Sequence, residues 1–181
     1  MARLPYLDKR DLKPEDQGLL SRDINLYRVL VHNPEAMRAF SGLGGYIRHR
    51  TKLDPRLREL AILQVGWLAR SPYEWSHHVK IGYDFGVTDA DIEALIAESR
   101  GEASGLEPTA RLVLKAAREI HDGALSRPTF AALQAELDNA ELMDLVVTAT
   151  FYCAVVRVLA SLEVDVEEGY MPYLRKYPFP V

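Results

Sequence analysis

The most reactive side chains in the chain gather in one stretch: Glu59, Glu74, His77 and His78. Glu74 and His78 are four residues apart, so on a helix they share a face. A carboxylate beside an imidazole fixes its tautomer and raises its pKa, which makes a general acid or base near neutral pH. Glu59 stands where an apolar run begins, and burial there is expected to raise its own pKa. Tyr73 and Trp75 are placed to line a pocket beside these groups. His77 lies about 100° round the helix from His78 and is expected to stand outside the cluster.

Simpler roles compete for the same residues. Ser71-Pro72-Tyr73-Glu74 has the form of a capping box, which alone accounts for Ser71 and Glu74. An acid near a helix start, such as Glu59, is favourable whatever else it does. Adjacent histidines on a helix converge poorly and there is no His-x-x-x-His pair, so no metal is expected. Gly42-Leu43-Gly44-Gly45 follows no strand and reads as close helix packing or a kink rather than a dinucleotide loop. The lone Cys153 lies among apolar residues, which describes an inert buried thiol, and it can form no internal disulfide. His32, His49 and His121 have no obvious partner in sequence. Tyr46 and His49 reach a pocket if their helix folds over its successor.

The elements that must hold these groups are helices. Asn33-Pro34, Asp54-Pro55, Ser71-Pro72, Glu107-Pro108 and Arg127-Pro128 are start signals, and Thr88 and Asp138 open capping sequences. They predict helices from these points to about Arg50, Arg70, Phe85, Asp122, Glu136, Ser99 and Leu162 respectively. The Pro55–Arg70 segment is apolar nearly all round, which places it at the centre of the domain or of a subunit interface. No stretch alternates as a strand would, so essentially no sheet is expected. Residues 1–24 read as an arm with one short turn of helix, 25–165 as the domain, and 166–181 as a proline- and aromatic-rich tail lying on a surface or on a neighbouring subunit.

The bulk properties fit one globular domain: 181 residues, 48% hydrophobic and 27% charged. A net charge of -4 with scattered basic residues argues against a nucleic-acid partner. The apolar stretch Leu145–Leu162 is broken by Arg157 and flanked by Asp144 and Glu163, so it is expected in a core, not a membrane. With no long apolar run at the start and one cysteine, a cytoplasmic location is expected.

Arg58-Glu59-Leu60-Ala61-Ile62-Leu63, then Tyr73-Glu74-Trp75-Ser76-His77-His78-Val79, then Gly86-Val87-Thr88 resemble the carboxymuconolactone decarboxylase-like (AhpD-like) superfamily. Asn25 to Pro34 is similar to the N-terminal extension of its longer members. The alkyl hydroperoxidase D branch carries Glu, eleven residues, Cys-x-x-Cys, three residues, His. On that spacing Glu59 and His78 match, while Ser71 and Glu74 take the cysteine positions. A hydroxyl and a carboxylate cannot exchange a disulfide, so dithiol peroxidase activity is not implied. Tyr152-Cys153-Ala154-Val155 resembles the decarboxylase branch, but the Pro and His that follow there are missing here.

The resemblance implies an all-α, AhpD-like helical bundle and a homo-oligomer, trimeric or hexameric. It also implies a cofactor-independent lyase or isomerase acting on a small cyclic acid or lactone. In that reading His78 moves the proton, Glu74 orients it and Glu59 is a second acid/base group. Tyr73, Trp75, Tyr46, His49 and Arg157 are the expected substrate contacts, Arg157 as a carboxylate anchor. Redox chemistry through Cys153 alone and a non-catalytic binding scaffold are the alternatives.

Overall fold

The computed structural model describes residues 2–180, which leaves Met1 of the arm and Val181 of the tail outside it. All regular elements among the described residues are helical. In order they are α1 (Asn25–Leu30), α2 (Pro34–Arg50), α3 (Pro55–Leu68), α4 (Pro72–Asp84), α5 (Asp89–Ser99), α6 (Pro108–Asp122), α7 (Arg127–Glu136), α8 (Asn139–Leu162) and α9 (Met171–Lys176). Short 3-10 turns cover Lys9–Asp11, Pro14–Leu20 and Glu168–Tyr170.

The starts follow local chemistry. Asn33, Asp54 and Ser71 each accept a hydrogen bond from a first-turn N–H, at 3.1, 3.0 and 3.4 Å, and each is followed by proline. Thr88 with Asp91, and Asp138 with Glu141, close full capping boxes. The cap of α7 is Ser126, whose hydroxyl accepts from the Thr129 N–H at 3.3 Å. α3 stops two residues short of the expected Arg70. Arg70 itself turns left-handed (φ 48°), and the Ser71 N–H bonds back to the Gly66 carbonyl at 3.0 Å.

α3 is the centre of the domain. It packs against α4, α5, α6 and α8, and from Leu57 to Trp67 every residue is buried. Its polar side chains are matched: Gln64 donates to Ser99 Oγ (3.0 Å) and accepts from Arg118 (3.0 Å), while Arg58 pairs with Glu59. Gly66 lets α4 come close, since a Cβ there would meet the Trp75 backbone at 3.4 Å. α8 is long and apolar enough to span a membrane, yet its inner face packs on α3 and α6, as a core helix does.

The two ends of the chain are more structured than the sequence suggests. The arm holds two 3-10 turns, not one turn of helix, and its backbone joins the end of α8 (Arg3 N–H to Leu162 O, 2.8 Å). α1 was not foreseen, because its N-cap is Ile24, a residue with no capping side chain. The tail lies on its own chain. Trp75 Nε1–H donates to the Tyr177 carbonyl at 2.8 Å, and Phe179 packs 5.3 Å from Trp67 and 6.0 Å from Trp75, ring centre to ring centre.

Candidate active site

A cavity of about 170 Å³ opens between α2, α4, α8 and the approach to α1. α2 lines it with Ser41, Gly44, Gly45 and Arg48, and α4 with Glu74, His77, His78 and Ile81. Both sets follow the i, i+3, i+4, i+7 spacing of one helical face. A Cβ at Gly45 would meet nothing within 4 Å, so its missing side chain helps make the hollow. α8 adds Phe151, Tyr152 and Val155, the segment leading into α1 adds Arg22, and α1 itself adds Tyr27.

His78 stands at the head of a buried charged row. Its Nδ1 is 2.7 Å from Glu59 Oε2, and its Nε2 is 2.9 Å from Glu74 Oε1. Glu59 Oε1 accepts from Arg58 Nε (3.2 Å) and Nη2 (3.0 Å), and the Arg58 guanidinium lies over the Phe85 ring at 4.4 Å. Arg58, Glu59, Glu74 and His78 are all at most 4% exposed. Glu74 and His78 border the cavity, and Glu59 and Arg58 lie behind them.

Burial alone would hold His78 neutral, but the charges of Glu59 and Glu74 outweigh it and raise its pKa. Burial likewise pushes Glu59 up, yet His78 and Arg58 together hold it below the usual carboxylate range. That reverses the sequence expectation for Glu59, which counted its desolvation without its partners. Glu74 is not a cap alone. Ser71 Oγ caps the helix, its N–H goes to Gly66, and the Glu74 carboxylate turns to His78.

His77 is outside this row but not outside the pocket, contrary to the sequence expectation: three residues after Glu74, it shares that face of α4 and borders the same cavity. Its Nε2 is 2.7 Å from Glu167 Oε2, and its ring is stacked between Tyr73 (4.1 Å) and Tyr170 (3.5 Å). Glu167 Oε1 also accepts from the Asn25 N–H (2.6 Å) and the Tyr73 hydroxyl (3.1 Å). Burial keeps the His77 pKa below the ordinary imidazole value despite these carboxylates.

Of the expected substrate contacts, Tyr73 and His49 border the cavity and three do not. Trp75 is fully buried on the opposite face of α4, where it anchors the tail. Tyr46 is one residue past Gly45, so its side chain leaves the cavity face and donates to Asp144 Oδ1 at 2.7 Å. Arg157 lies five residues beyond Tyr152, well round α8, and its Nη1 donates to the Cys153 carbonyl at 2.6 Å. The basic groups that do border the cavity are Arg22 and Arg48. Among the described residues neither is in an ion pair; Arg22 lies 5.5 Å from the Tyr27 ring centre. Arg48 carried a signal in sequence, standing three and four residues after Gly45 and Gly44 on one face. Arg22 and Glu167 carried none.

Tyr152 meets His78 edge-on at 5.0 Å. Burial and the charges of Glu74 and Glu59 push its phenol up, with Arg48 opposing, so it stays an O–H donor. Cys153 is buried, does not border the cavity, and has its pKa raised by desolvation. Among the described residues no group of three or more His, Cys, Asp or Glu is arranged to hold a metal ion.

Comparison with known proteins agrees with this architecture. Residues 34–119, from α2 into α6, match the model of the carboxymuconolactone decarboxylase family, and these residues include Glu59, Glu74 and His78. No curated protein matches the chain. Among solved structures, an AhpD-core, peroxidase-related protein from Ralstonia eutropha JMP134 superposes with a TM-score of 0.81 at 16% identity, over 96% of this chain and 95% of its own. The debrominase Bmp8, a cysteine-to-alanine variant in complex with 2,3,4-tribromopyrrole, gives 0.79 at 15% identity, over 97% and 99%. A peroxidase-related protein from Silicibacter sp. TM1040 gives 0.73 at 16%, over 93% and 92%. Over residues 34–119 the chain resembles the carboxymuconolactone decarboxylase family, and over nearly its whole length it shares the fold of an AhpD-core protein.

Proposed function

We propose that this protein is a cofactor-independent acid–base enzyme, a lyase or isomerase, acting on a small cyclic acid or lactone. The observation that carries the reading is the Glu74–His78–Glu59 row, whose outer carboxylate borders a cavity. Both ring nitrogens of His78 face carboxylates, so we assign substrate contact to Glu74 and give His78 the role of proton reservoir beside it. One proton is shared between His78 Nε2 and Glu74 Oε1. On the imidazole it leaves Glu74 a base, and on the carboxyl it makes Glu74 an acid. Glu59, fixed by Arg58, holds the His78 tautomer and stabilises its charged form.

The cavity fits a single ring, since its volume is close to that of a pocket of ~150 Å³ known to bind benzene. The small ring held by the debrominase relative is of the same size class. Arg22 and Arg48 supply positive charge for a substrate carboxylate or a developing enolate. Tyr152 supplies a hydrogen-bond donor. Redox chemistry at Cys153 is disfavoured by its burial and raised pKa. We also propose a homo-oligomer, trimeric or hexameric, as the family resemblance implies, and a cytoplasmic location, in keeping with the single cysteine.

The test is incubation of the purified protein in D2O with a panel of unsaturated lactones and aromatic-catabolism acids, followed by mass spectrometry. Deuterium uptake or conversion of a panel member is the expected result. Glu74→Gln and His78→Ala are each expected to slow it about a hundredfold or more, the usual loss for an acid–base group. A wild-type rate in Glu74→Gln would refute the role given to that carboxylate. Binding without exchange or turnover would favour the non-catalytic scaffold.

A further inference from the structure

We propose that His77 is a second proton-handling group of this cavity, with Glu167 engaging its Nε2 so that Nδ1 is left as a proton acceptor facing the space. The proposal rests on reading the cavity as an acid–base site and extends it with a residue and a partner from the far end of the chain.

His77 borders the cavity on the same helical face as Glu74. Glu167 Oε2 accepts from its Nε2 at 2.7 Å, which defines the Nε2–H tautomer and leaves a lone pair on Nδ1. Among the described residues no hydrogen bond uses that Nδ1, and it is not one of the fully buried unpartnered atoms. The ring cannot rotate freely, because Tyr73 and Tyr170 stack on its two faces. Glu167 is itself held by the Asn25 N–H and the Tyr73 hydroxyl. A polar side chain this confined, with one nitrogen committed and the other open, is built like an oriented base.

The two imidazoles are backed differently. Glu74 and His78 both border the cavity, with Glu59 behind them. His77 borders it as well, while its carboxylate partner Glu167 does not. The groups facing His77 are Glu167 from the C-terminal segment and Glu74 and His78 from α4, with Arg22 and Arg48 on other walls. Among these, burial prevails at His77 and lowers its pKa, while the carboxylates prevail at His78 and raise its pKa. Neighbouring groups whose surroundings drive their titration apart are a basis for assigning base and acid.

Two such stations suit a substrate that loses a proton at one atom and gains one at another. An unsaturated cyclic acid or lactone whose double bond migrates has this form. The proton α to the carbonyl goes to His77 Nδ1, and its electron pair moves into a dienolate. The Glu74–His78 pair then delivers a proton to the γ carbon. Solvent exchange carries the proton from His77 back to the Glu74–His78 pair, so the net count is unchanged.

The test needs no substrate. Diethylpyrocarbonate acylates neutral, accessible imidazole nitrogen, and peptide fragmentation separates His77 from His78. On the intact protein at neutral pH, His77 is expected to be acylated along with exposed His49, while His78 is not. The adduct should be absent from His77→Gln. Nitrogen-15 spectra of histidine-labelled protein should show His77 as the neutral Nε2–H tautomer, and Glu167→Ala should mix its tautomers. An unmodified His77 beside a modified His49, or a charged or Nδ1–H His77, overturns the proposal. If His77 reacts but no panel compound turns over, the acid–base reading fails while the geometry of the dyad stands.

Discussion

His77 and His78 are neighbours in the chain, yet their surroundings move their titration in opposite directions. His78 has a folded pKa raised above 6.5, so its contribution to stability is complete below that value. It is lost as pH rises through the folded pKa. His77 has a folded pKa lowered from 6.5, so its contribution is complete above that value and is lost as pH falls through the folded pKa. Glu59, lowered from 4.5, adds a further loss at more acid pH. The urea midpoint should therefore peak near pH 6.5 for these two imidazoles and fall on both sides. His78→Gln should flatten the alkaline limb and His77→Gln the limb just below the peak. A midpoint that climbs steadily from pH 6 to pH 9 would contradict the His78 assignment, and one that does not fall below the peak would contradict that of His77. At this scale the sequence made Glu59, Glu74 and His78 legible, because two of them are one helical turn apart and the third falls on a known family spacing. It could not show Glu167, which is 90 residues from His77, nor that Arg58 would override the desolvation of Glu59.

Helix starts were the most legible feature, because a cap and a proline act within four residues of chain. The exceptions share one cause. α1, the Pro14–Leu20 turn of the arm and α9 lack side-chain caps and are held by contacts with distant segments. The glycines of α2 show how an element's face decides function. Gly42 is exposed, and a Cβ there would meet nothing within 4 Å. Gly42→Ala should stabilise the protein by roughly 0.5–1 kcal/mol, read by urea denaturation, with ligand binding unchanged. Gly45 borders the cavity, with equally open space before it. Gly45→Leu should leave the fold intact by circular dichroism and abolish binding of a ring carboxylate such as benzoate in calorimetry. Equal binding in wild type and Gly45→Leu would place the ligand elsewhere. The sequence reading of these glycines as a packing feature was incomplete, since part of what they provide is empty space.

Across the whole molecule, the ends of the chain close over the middle. Glu167 joins α1, α4 and the C-terminal segment through its bonds to Asn25, Tyr73 and His77. Removing it leaves buried donors unmatched. Glu167→Ala should cost roughly 2–4 kcal/mol in denaturant unfolding, the scale of losing several hydrogen bonds to a charge. It should also hasten trypsin cleavage after Arg175 and Lys176 as the tail loosens. Trp67 and Trp75 both contact Phe179, so their fluorescence should report the same loosening. The Trp75–Tyr177 bond spans 102 residues and the His77–Glu167 bond 90. A ribosome makes α2, α3 and α4 long before residues 167–179. During that interval the face of α4 that will carry both imidazoles has no C-terminal cover, and the indole of Trp75 lacks its acceptor. The nascent helices can gather around α3, but His77 has no partner to set its tautomer. The second station of the cavity therefore switches on only after residue 167 has been translated and docked, so the growing chain carries a half-built site while the 90 residues from His77 to Glu167 are added.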